Sequence, residues 1–175
     1  MASPLRRPLL AGNWKMNLTL AQSVELAKLV ASGAGSASGE VAVFVPATAI
    51  TVVGEVLKGT PVRLGAQNAH LEASGAYTGE ISMGQVKDSG CGMVLIGHSE
   101  RRKLFGDTDE WINKKLGAAL KAGLTPVVCV GETLEERESQ KTWRVLETQI
   151  AGGLKGFAPA DLAKVVVAYE PVWAI

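Results

Sequence analysis

Residues 165–175 have the sequence Val165-Val166-Val167-Ala168-Tyr169-Glu170-Pro171-Val172-Trp173-Ala174-Ile175. A run rich in valine is typical of a strand in a parallel sheet, which is covered on both faces. Pro171 favours an extended backbone at the residue before it. The sequence therefore predicts a buried strand that presents the Glu170 carboxylate at its carboxyl end. Because such a strand is normally flanked by neighbours, we expect a scaffold that is cut short after it.

Short apolar runs alternate with helical patterns along the rest of the chain. Strands are predicted at 9–14, 41–45, 62–66, 93–96, 125–130 and 165–170. Helices are predicted at 19–31, 49–57 and 111–122, and a further helix begins with a capping-box pattern at Thr133 and ends near Gly152 and Gly153. This alternation predicts an α/β protein with a parallel sheet, either doubly wound or closed into a barrel.

Two features favour the barrel. No G-x-G-x-x-G pattern follows the first predicted strand, so the dinucleotide-binding fingerprint is missing there. Polar side chains follow several different strands instead, as in a (β/α)8 barrel that builds one site from many loops. They are Asn13, Lys15, Gln67, Asn68, His98, Glu132 and Glu170. Since an eight-unit barrel takes about 250 residues, we expect an incomplete (β/α) barrel of about six parallel strands with surrounding helices, in one domain over residues 1–175.

The composition excludes several classes of partner. The 18 basic and 17 acidic residues nearly cancel, so there is no electrostatic signature for nucleic acid or for an anionic membrane. The longest apolar runs have the length of a strand, which is far below the roughly 20 residues of a membrane helix. Cys91 and Cys129 fit neither a metal-ligand spacing nor a disulfide framework. We expect a cytoplasmic protein.

Lys15 follows the first predicted strand, and His98 follows the fourth. Lys15 could bind an anionic substrate and stabilise developing negative charge; the alternative is a solvated loop lysine. Ser99 is expected to cap a following helical turn, and the positive end of a helix disfavours imidazolium. His98 would then be neutral and could donate a hydrogen bond to a carbonyl oxygen; the alternative is a capping or core histidine.

Three further side chains stand at predicted strand ends. Glu170 could act as a general base near hydrophobic neighbours; the alternative is a salt-bridge partner. Glu132 is expected to form a structural ion pair with a neighbouring strand-end residue. Cys129 is expected to be a packed apolar side chain and not a nucleophile.

The segment 67–80 has no clear periodicity. Structureless loops of this length are uncommon and are usually functional. Because its tip carries Tyr77 and small residues, we interpret it as a loop that docks a partner. His70, which lies within the segment, is expected to be structural or exposed.

Five blocks of the sequence resemble the triosephosphate isomerase family and follow that family's order. The blocks are Gly12-Asn13-Trp14-Lys15-Met16-Asn17, Gly75-Ala76-Tyr77-Thr78-Gly79-Glu80, Ile96-Gly97-His98-Ser99-Glu100-Arg101-Arg102, Cys129-Val130-Gly131-Glu132-Thr133-Leu134-Glu135-Glu136-Arg137 and Ala168-Tyr169-Glu170-Pro171-Val172-Trp173-Ala174-Ile175. The resemblance covers essentially the whole chain. It implies a TIM barrel and an isomerase of glycolysis and gluconeogenesis.

The resemblance also implies roles for individual residues. Glu170 would be the base, His98 the electrophile and Lys15 the cation, with Asn13 and Glu100 in the same site. These groups would interconvert glyceraldehyde 3-phosphate and dihydroxyacetone phosphate by proton abstraction through an enediolate. No metal or organic cofactor would be needed.

A loop at residues 75–80 resembles the family's dimer-docking loop. Its tip, formed by Tyr77, Thr78, Gly79 and Glu80, would brace the Asn13 and Lys15 region of a second subunit. The resemblance therefore implies a homo-oligomer, at least a dimer.

The sequence departs from the family in two places. Family members continue past Ile175 into a glycine-rich lid and two further strands, which hold the substrate phosphate. We therefore expect weak activity, and the alternatives are an inactive folded scaffold or one part of a two-chain enzyme. The family usually has a more helical, leucine-bearing stretch at residues 82–86, so we expect a local difference there.

Overall fold

One parallel sheet organises the protein, whose computed structural model describes residues 7–175. The strands are β1 (Leu9–Asn13), β2 (Glu40–Val45), β3 (Val62–Ala66), β4 (Met93–Ile96), β5 (Thr125–Val130) and β6 (Val166–Tyr169). They lie in the order β1-β2-β3-β4-β5-β6, and each is parallel to its neighbour. The predicted six-stranded, incomplete barrel is confirmed.

Helices cover one face of the sheet. They are α1 (Leu20–Ala34), α2 (Ile50–Leu57), α3 (Met83–Asp88), α4 (Ser99–Phe105), α5 (Asp109–Lys121), α6 (Leu134–Glu138), α7 (Thr142–Gly153) and α8 (Pro159–Leu162). Short 3₁₀ turns lie at Ala47–Ala49 and Val172–Ala174. Among residues 7–175, no helix has the length and apolar character needed to cross a membrane.

The sheet is buried on both faces by two separate apolar clusters. The larger cluster lies between the strands and the helices and includes Val43 and Val45. The smaller one lies on the inner, concave face and includes Phe44 and Met93. Successive side chains of a strand point to opposite faces of the sheet, so alternate residues of β2 pack into different apolar clusters. Gly65 leaves room for the Phe44 ring, which a Cβ at Gly65 would overlap.

The structure changes several predicted boundaries. The helix predicted from Thr133 to Gly153 is two helices, α6 and α7, because Gln140 adopts a left-handed backbone with φ 57° between them. The stretch 82–86, expected to differ from a helical segment, begins α3. Ser82 and Gln85 form a reciprocal capping box at its start.

The outer strands β1 and β6 are the edges of the sheet. Leu10 of β1 and the outward side chains of β6, Val167 and Tyr169, are exposed large hydrophobic groups. The four inner strands have mostly buried side chains. The described chain therefore has two sheet edges without a neighbouring strand among residues 7–175, at β1 and at β6.

Candidate active site

The carboxyl end of β1 holds Lys15 in a constrained backbone conformation. Lys15 has φ 54°, in the left-handed region that costs a non-glycine residue about 1–3 kcal/mol. Its amide donates to Asn13 Oδ1 at 2.9 Å, and its carbonyl accepts from Gln67 Nε2 at 2.8 Å. Because both flanking peptide groups are held, the side chain of Lys15 leaves β1 in a fixed direction.

The Lys15 ammonium forms an ion pair with Glu100. The Nζ to Oε1 distance is 2.7 Å, and both side chains are partly exposed. An exposed pair of this kind contributes about 0–1 kcal/mol, so its effect is to orient the groups more than to stabilise the fold. Lys15 follows β1 and Glu100 lies in α4, so the ion pair connects the carboxyl end of β1 with α4.

His98 caps α4 with its own imidazole. Its Nδ1 accepts from the backbone amide of Glu100 at 3.2 Å, so this nitrogen carries no proton. Ser99, which the sequence suggested as the cap, is instead the first residue of the helix. A neutral imidazole must then carry its proton on Nε2, which is the nitrogen that faces Glu170.

The Glu170 carboxylate lies next to His98. Its Oε1 is 3.5 Å from His98 Nε2, and its buried Oε2 has no hydrogen-bond partner among the described residues. The neighbouring Cys129 thiol is buried, and burial first, then the Glu170 charge, raise its pKa. Cys129 is therefore a protonated, packed side chain, and Glu170 is the group with an unused oxygen.

Backbone contacts fix the position of Glu170 itself. The Glu170 amide donates to the Val130 carbonyl at 2.8 Å, which extends the pairing of β5 with β6 by one residue. Gly131 follows Val130, and a Cβ at Gly131 would overlap the carbonyl of Glu170. The close approach of the two backbones thus requires glycine at this position.

Glu132 is a fully buried carboxylate beside the site. It accepts from Tyr169 Oη at 3.1 Å and from Trp173 Nε1 at 3.1 Å. Arg137 Nη1 lies at 3.3 Å, and Thr142 Oγ1 at 3.4 Å. The predicted structural ion pair is present, but its partner was predicted wrongly, because the cation is Arg137 of α6 and not a strand-end residue.

These donors determine the charge state of Glu132. Burial raises its pKa, but hydrogen bonds from Trp173, from its own backbone amide and from Tyr169 lower it, and the net pKa is below the ordinary value. The same ring of Trp173 packs under the Arg137 guanidinium at 4.4 Å. The ionised carboxylate therefore ties the residues after Glu170 to α6.

A cleft of about 550 Å³ opens beside Glu170. Its walls come from α4, from the end of β5 and from the start of α6, and Trp173 closes one side. Glu170 lines this cleft, whereas Lys15 and His98 do not. The contacts that connect the three candidate catalytic groups run from Lys15 to Glu100, from Glu100 to His98 and from His98 to Glu170.

The candidate docking loop is exposed and is held at its base. His70 is buried and lies against the Tyr77 ring, with ring centres 4.4 Å apart, and against the edge of Trp111. Thr78, Gly79 and Glu80 follow at the exposed tip. The sequence left His70 as either structural or exposed, and the structure shows it buried against aromatic rings.

The groups brought together at the strand ends suit proton transfer. A carboxylate, a neutral imidazole and an ammonium group converge at the carboxyl ends of parallel strands, where (β/α)-barrel enzymes have their sites. Among residues 7–175, no group of three or more His, Cys, Asp or Glu side chains could hold a metal ion. The fold and the site define a (β/α)-barrel enzyme.

Comparison with known proteins gives the family. The model of the triosephosphate isomerase family matches residues 8–175. Triosephosphate isomerase from Endomicrobium trichonymphae is 49% identical over 172 residues, covering 98% of this chain and 69% of that protein. The one from Rhodopirellula baltica is 50% identical over 171 residues, covering 97% and 67%. The chain belongs to the triosephosphate isomerase family.

Structural comparison agrees. A crystal structure of triosephosphate isomerase from Bartonella henselae matches with a TM-score of 0.88 at 44% identity. The match covers 95% of this chain and 69% of that chain.

We expect Glu132→Gln to lower the free energy of unfolding by about 1.5–3 kcal/mol at pH 7, because charge-assisted hydrogen bonds are replaced by weaker ones. The folded-state pKa of Glu132 is lowered, so its stabilising contribution is complete above the ordinary glutamate pKa of about 4.3. The contribution is lost as the pH falls through the folded-state pKa. The difference between parent and variant should therefore shrink below about pH 4.3, as measured by urea unfolding.

The control is Glu138→Gln, which changes an exposed carboxylate of α6, the helix that begins two residues after Glu132. It should leave the free energy of unfolding unchanged at every pH. A Glu132→Gln difference that grows on acidification would contradict the assignment of Glu132 as an ionised buried group.

Proposed function

We propose that this chain interconverts glyceraldehyde 3-phosphate and dihydroxyacetone phosphate. The observation that carries the proposal is the 3.5 Å approach of His98 Nε2 to Glu170 Oε1, with Lys15 linked to the same place through Glu100. A base, a hydrogen-bond donor and a cation are thus connected by consecutive side-chain contacts. Relatives that bear the name triosephosphate isomerase match nearly the whole chain.

Glu170 supplies the base. Its carboxylate takes the proton from the carbon beside the substrate carbonyl, and the electron pair of that C–H bond moves toward the carbonyl oxygen. Oε2 is buried and accepts no hydrogen bond from residues 7–175, so this oxygen is not committed to a protein donor. The same carboxyl group then returns the proton to the neighbouring carbon, which completes the isomerisation.

His98 and Lys15 stabilise the charge that develops on oxygen. The Nε2 proton of His98 donates to the substrate oxygen, because Nδ1 is already occupied by the Glu100 amide. His98 then moves a proton between the two oxygens. The Lys15 ammonium stabilises the enediolate and attracts the phosphate. Every step is a proton transfer that these side chains supply, so no cofactor is required.

Asn13 and Glu100 complete the binding site in this proposal. Asn13 Oδ1 accepts from the Lys15 amide, which leaves the Asn13 amide nitrogen able to donate to substrate. Glu100 pairs with the Lys15 ammonium and holds it near His98. Both residues position the cation against the substrate.

The docking loop supports a homodimer. Thr78, Gly79 and Glu80 are exposed at a tip that is braced by His70, and Met16, beside Lys15, is 95% exposed. We propose that the tip of one copy covers the Met16 region of another. Such contact would remove an apolar side chain from water at the edge of the site.

Glu170→Gln keeps the shape of the side chain and removes the base. We expect kcat to fall by about 10²–10⁴-fold, the usual contribution of a positioned general base. Turnover of glyceraldehyde 3-phosphate by the purified chain measures this, with Glu138→Gln as the control that should match the parent. Equal activity in parent and Glu170→Gln would sink the assignment, and so would a folded parent with no turnover, which would favour an inactive scaffold or a two-chain enzyme.

Thr78→Arg places a charged group at the docking tip. We expect the parent to sediment as a dimer at micromolar concentration and the variant to shift toward monomer, because burying an unpaired charge is costly. Thr148→Arg, the same substitution at an exposed position of α7, should leave the dimer intact. A parent that sediments as a monomer would contradict the proposed assembly.

A further inference from the structure

Arg102 of α4 uses all three of its guanidinium nitrogens on protein acceptors. Nε donates to the Gly97 carbonyl at 2.8 Å, and Nη2 donates to the Cys129 carbonyl at 3.2 Å. Nη1 forms an ion pair with Asp109 Oδ1 at 2.6 Å. Because guanidinium is a planar group with its donors in a rigid fork, these contacts fix the three acceptors relative to one another.

The two carbonyls lie just beyond the last paired residues of β4 and β5, although Cys129 is still paired with Ala168 of β6. The pairing of β4 with β5 ends at Ile96 and Val128, one residue before Gly97 and Cys129. Gly97 also turns out of the strand, with φ 72°. Arg102 therefore joins β4 and β5 near their carboxyl ends, at the point where the pairing between these two strands stops.

This link lies between the two groups that perform proton transfer. His98 directly follows Gly97, so its backbone position depends on the β4 end. On the other side of β5, the Glu170 amide is bonded to the Val130 carbonyl at 2.8 Å. The contacts that connect the backbone of His98 with the backbone of Glu170 thus run through Arg102 and the end of β5.

We propose that Arg102 is a positioning residue for the isomerisation. By tying the end of β4 to the end of β5, it sets the 3.5 Å separation of His98 Nε2 from Glu170 Oε1. Each of the three guanidinium nitrogens contacts a protein acceptor, so we assign Arg102 a role that acts through these residues. The role rests on the proposed function of the same site.

Arg63 offers a matched control at the opposite end of the sheet. Its Nη1 pairs with Glu40 Oε2 at 2.9 Å, and its Nη2 donates to Thr125 Oγ1 at 3.0 Å. Glu40 and Thr125 begin β2 and β5. Arg63→Met therefore removes the same chemical group and a similar link between strands, but it leaves the carboxyl ends untouched.

The first readout is kinetic. For Arg102→Met we expect kcat to fall about 10- to 100-fold, since small misplacement of reacting groups has effects of that size. KM should change by less than about threefold, because substrate binding groups are unaltered. Arg102→Lys should not restore kcat, because one ammonium cannot bridge two carbonyls and a carboxylate in the guanidinium geometry. Rates are scaled to the folded fraction measured by circular dichroism.

The second readout does not need turnover. The chain has two histidines, so the ¹⁵N signals of His98 can be assigned by comparison with a His70→Gln variant. In the parent, Glu170→Gln should shift the His98 Nε2 signal, because the two groups are adjacent. In the Arg102→Met background the same substitution should have little effect, and in the Arg63→Met background the shift should persist.

Several results would overturn the proposal: a kcat loss of equal size in Arg63→Met, full recovery in Arg102→Lys, or an unchanged His98 response in Arg102→Met. If the parent shows no turnover, the proposed function fails, and the His98 response alone decides the role of Arg102. If Arg102→Met does not fold, Asp109→Asn is used instead, since it weakens the anchor of the guanidinium. A retained His98 response there would equally contradict the proposal.

Discussion

The parallel pairing of β4, β5 and β6 is the constraint on which the site depends. Parallel strands carry all of their carboxyl ends to one edge, so His98 and Glu170 meet although they belong to different units of the chain. Individual hydrogen bonds then fix the orientation of the groups that strand pairing brings together. The Glu100 amide fixes the imidazole, and a backbone bond fixes the position of the carboxylate. The chemistry follows from this alignment.

Buried ion pairs favour one conformation of the loops around the site. Lys115 pairs with Asp107 at 2.8 Å in the interior and also donates to Asn68. Burial lowers the pKa of Lys115; it raises that of Asp107, but the contacts with Lys115 and Arg101 outweigh it and leave the Asp107 pKa lowered. An unpaired charge at such a position is strongly destabilising. These pairs therefore favour one arrangement of α4, α5 and the loop after β3.

Local patterns in the sequence predicted the strands and the residues at their ends. A strand that is buried on both faces consists mainly of apolar residues, and the polar residues of the site directly follow such runs. Contacts between distant segments leave no such record. The break between α6 and α7 at Gln140, the capping imidazole of His98 and the left-handed backbone of Lys15 all depend on neighbours that only the fold supplies. The partners of Glu132 were not predictable either, because Arg137 and Trp173 approach it only in the folded chain.

The central claim is that the chain moves a proton from substrate carbon through a carboxylate. Incubation with dihydroxyacetone phosphate in D₂O, followed by proton NMR, tests it most directly. A proton held by Glu170 exchanges with solvent, so deuterium should enter the carbon-bound position of the sugar phosphate as glyceraldehyde 3-phosphate forms. Formation of the aldehyde with no deuterium on carbon would show that the hydrogen passes between the carbons without reaching a group that exchanges with solvent, and this result would contradict the account.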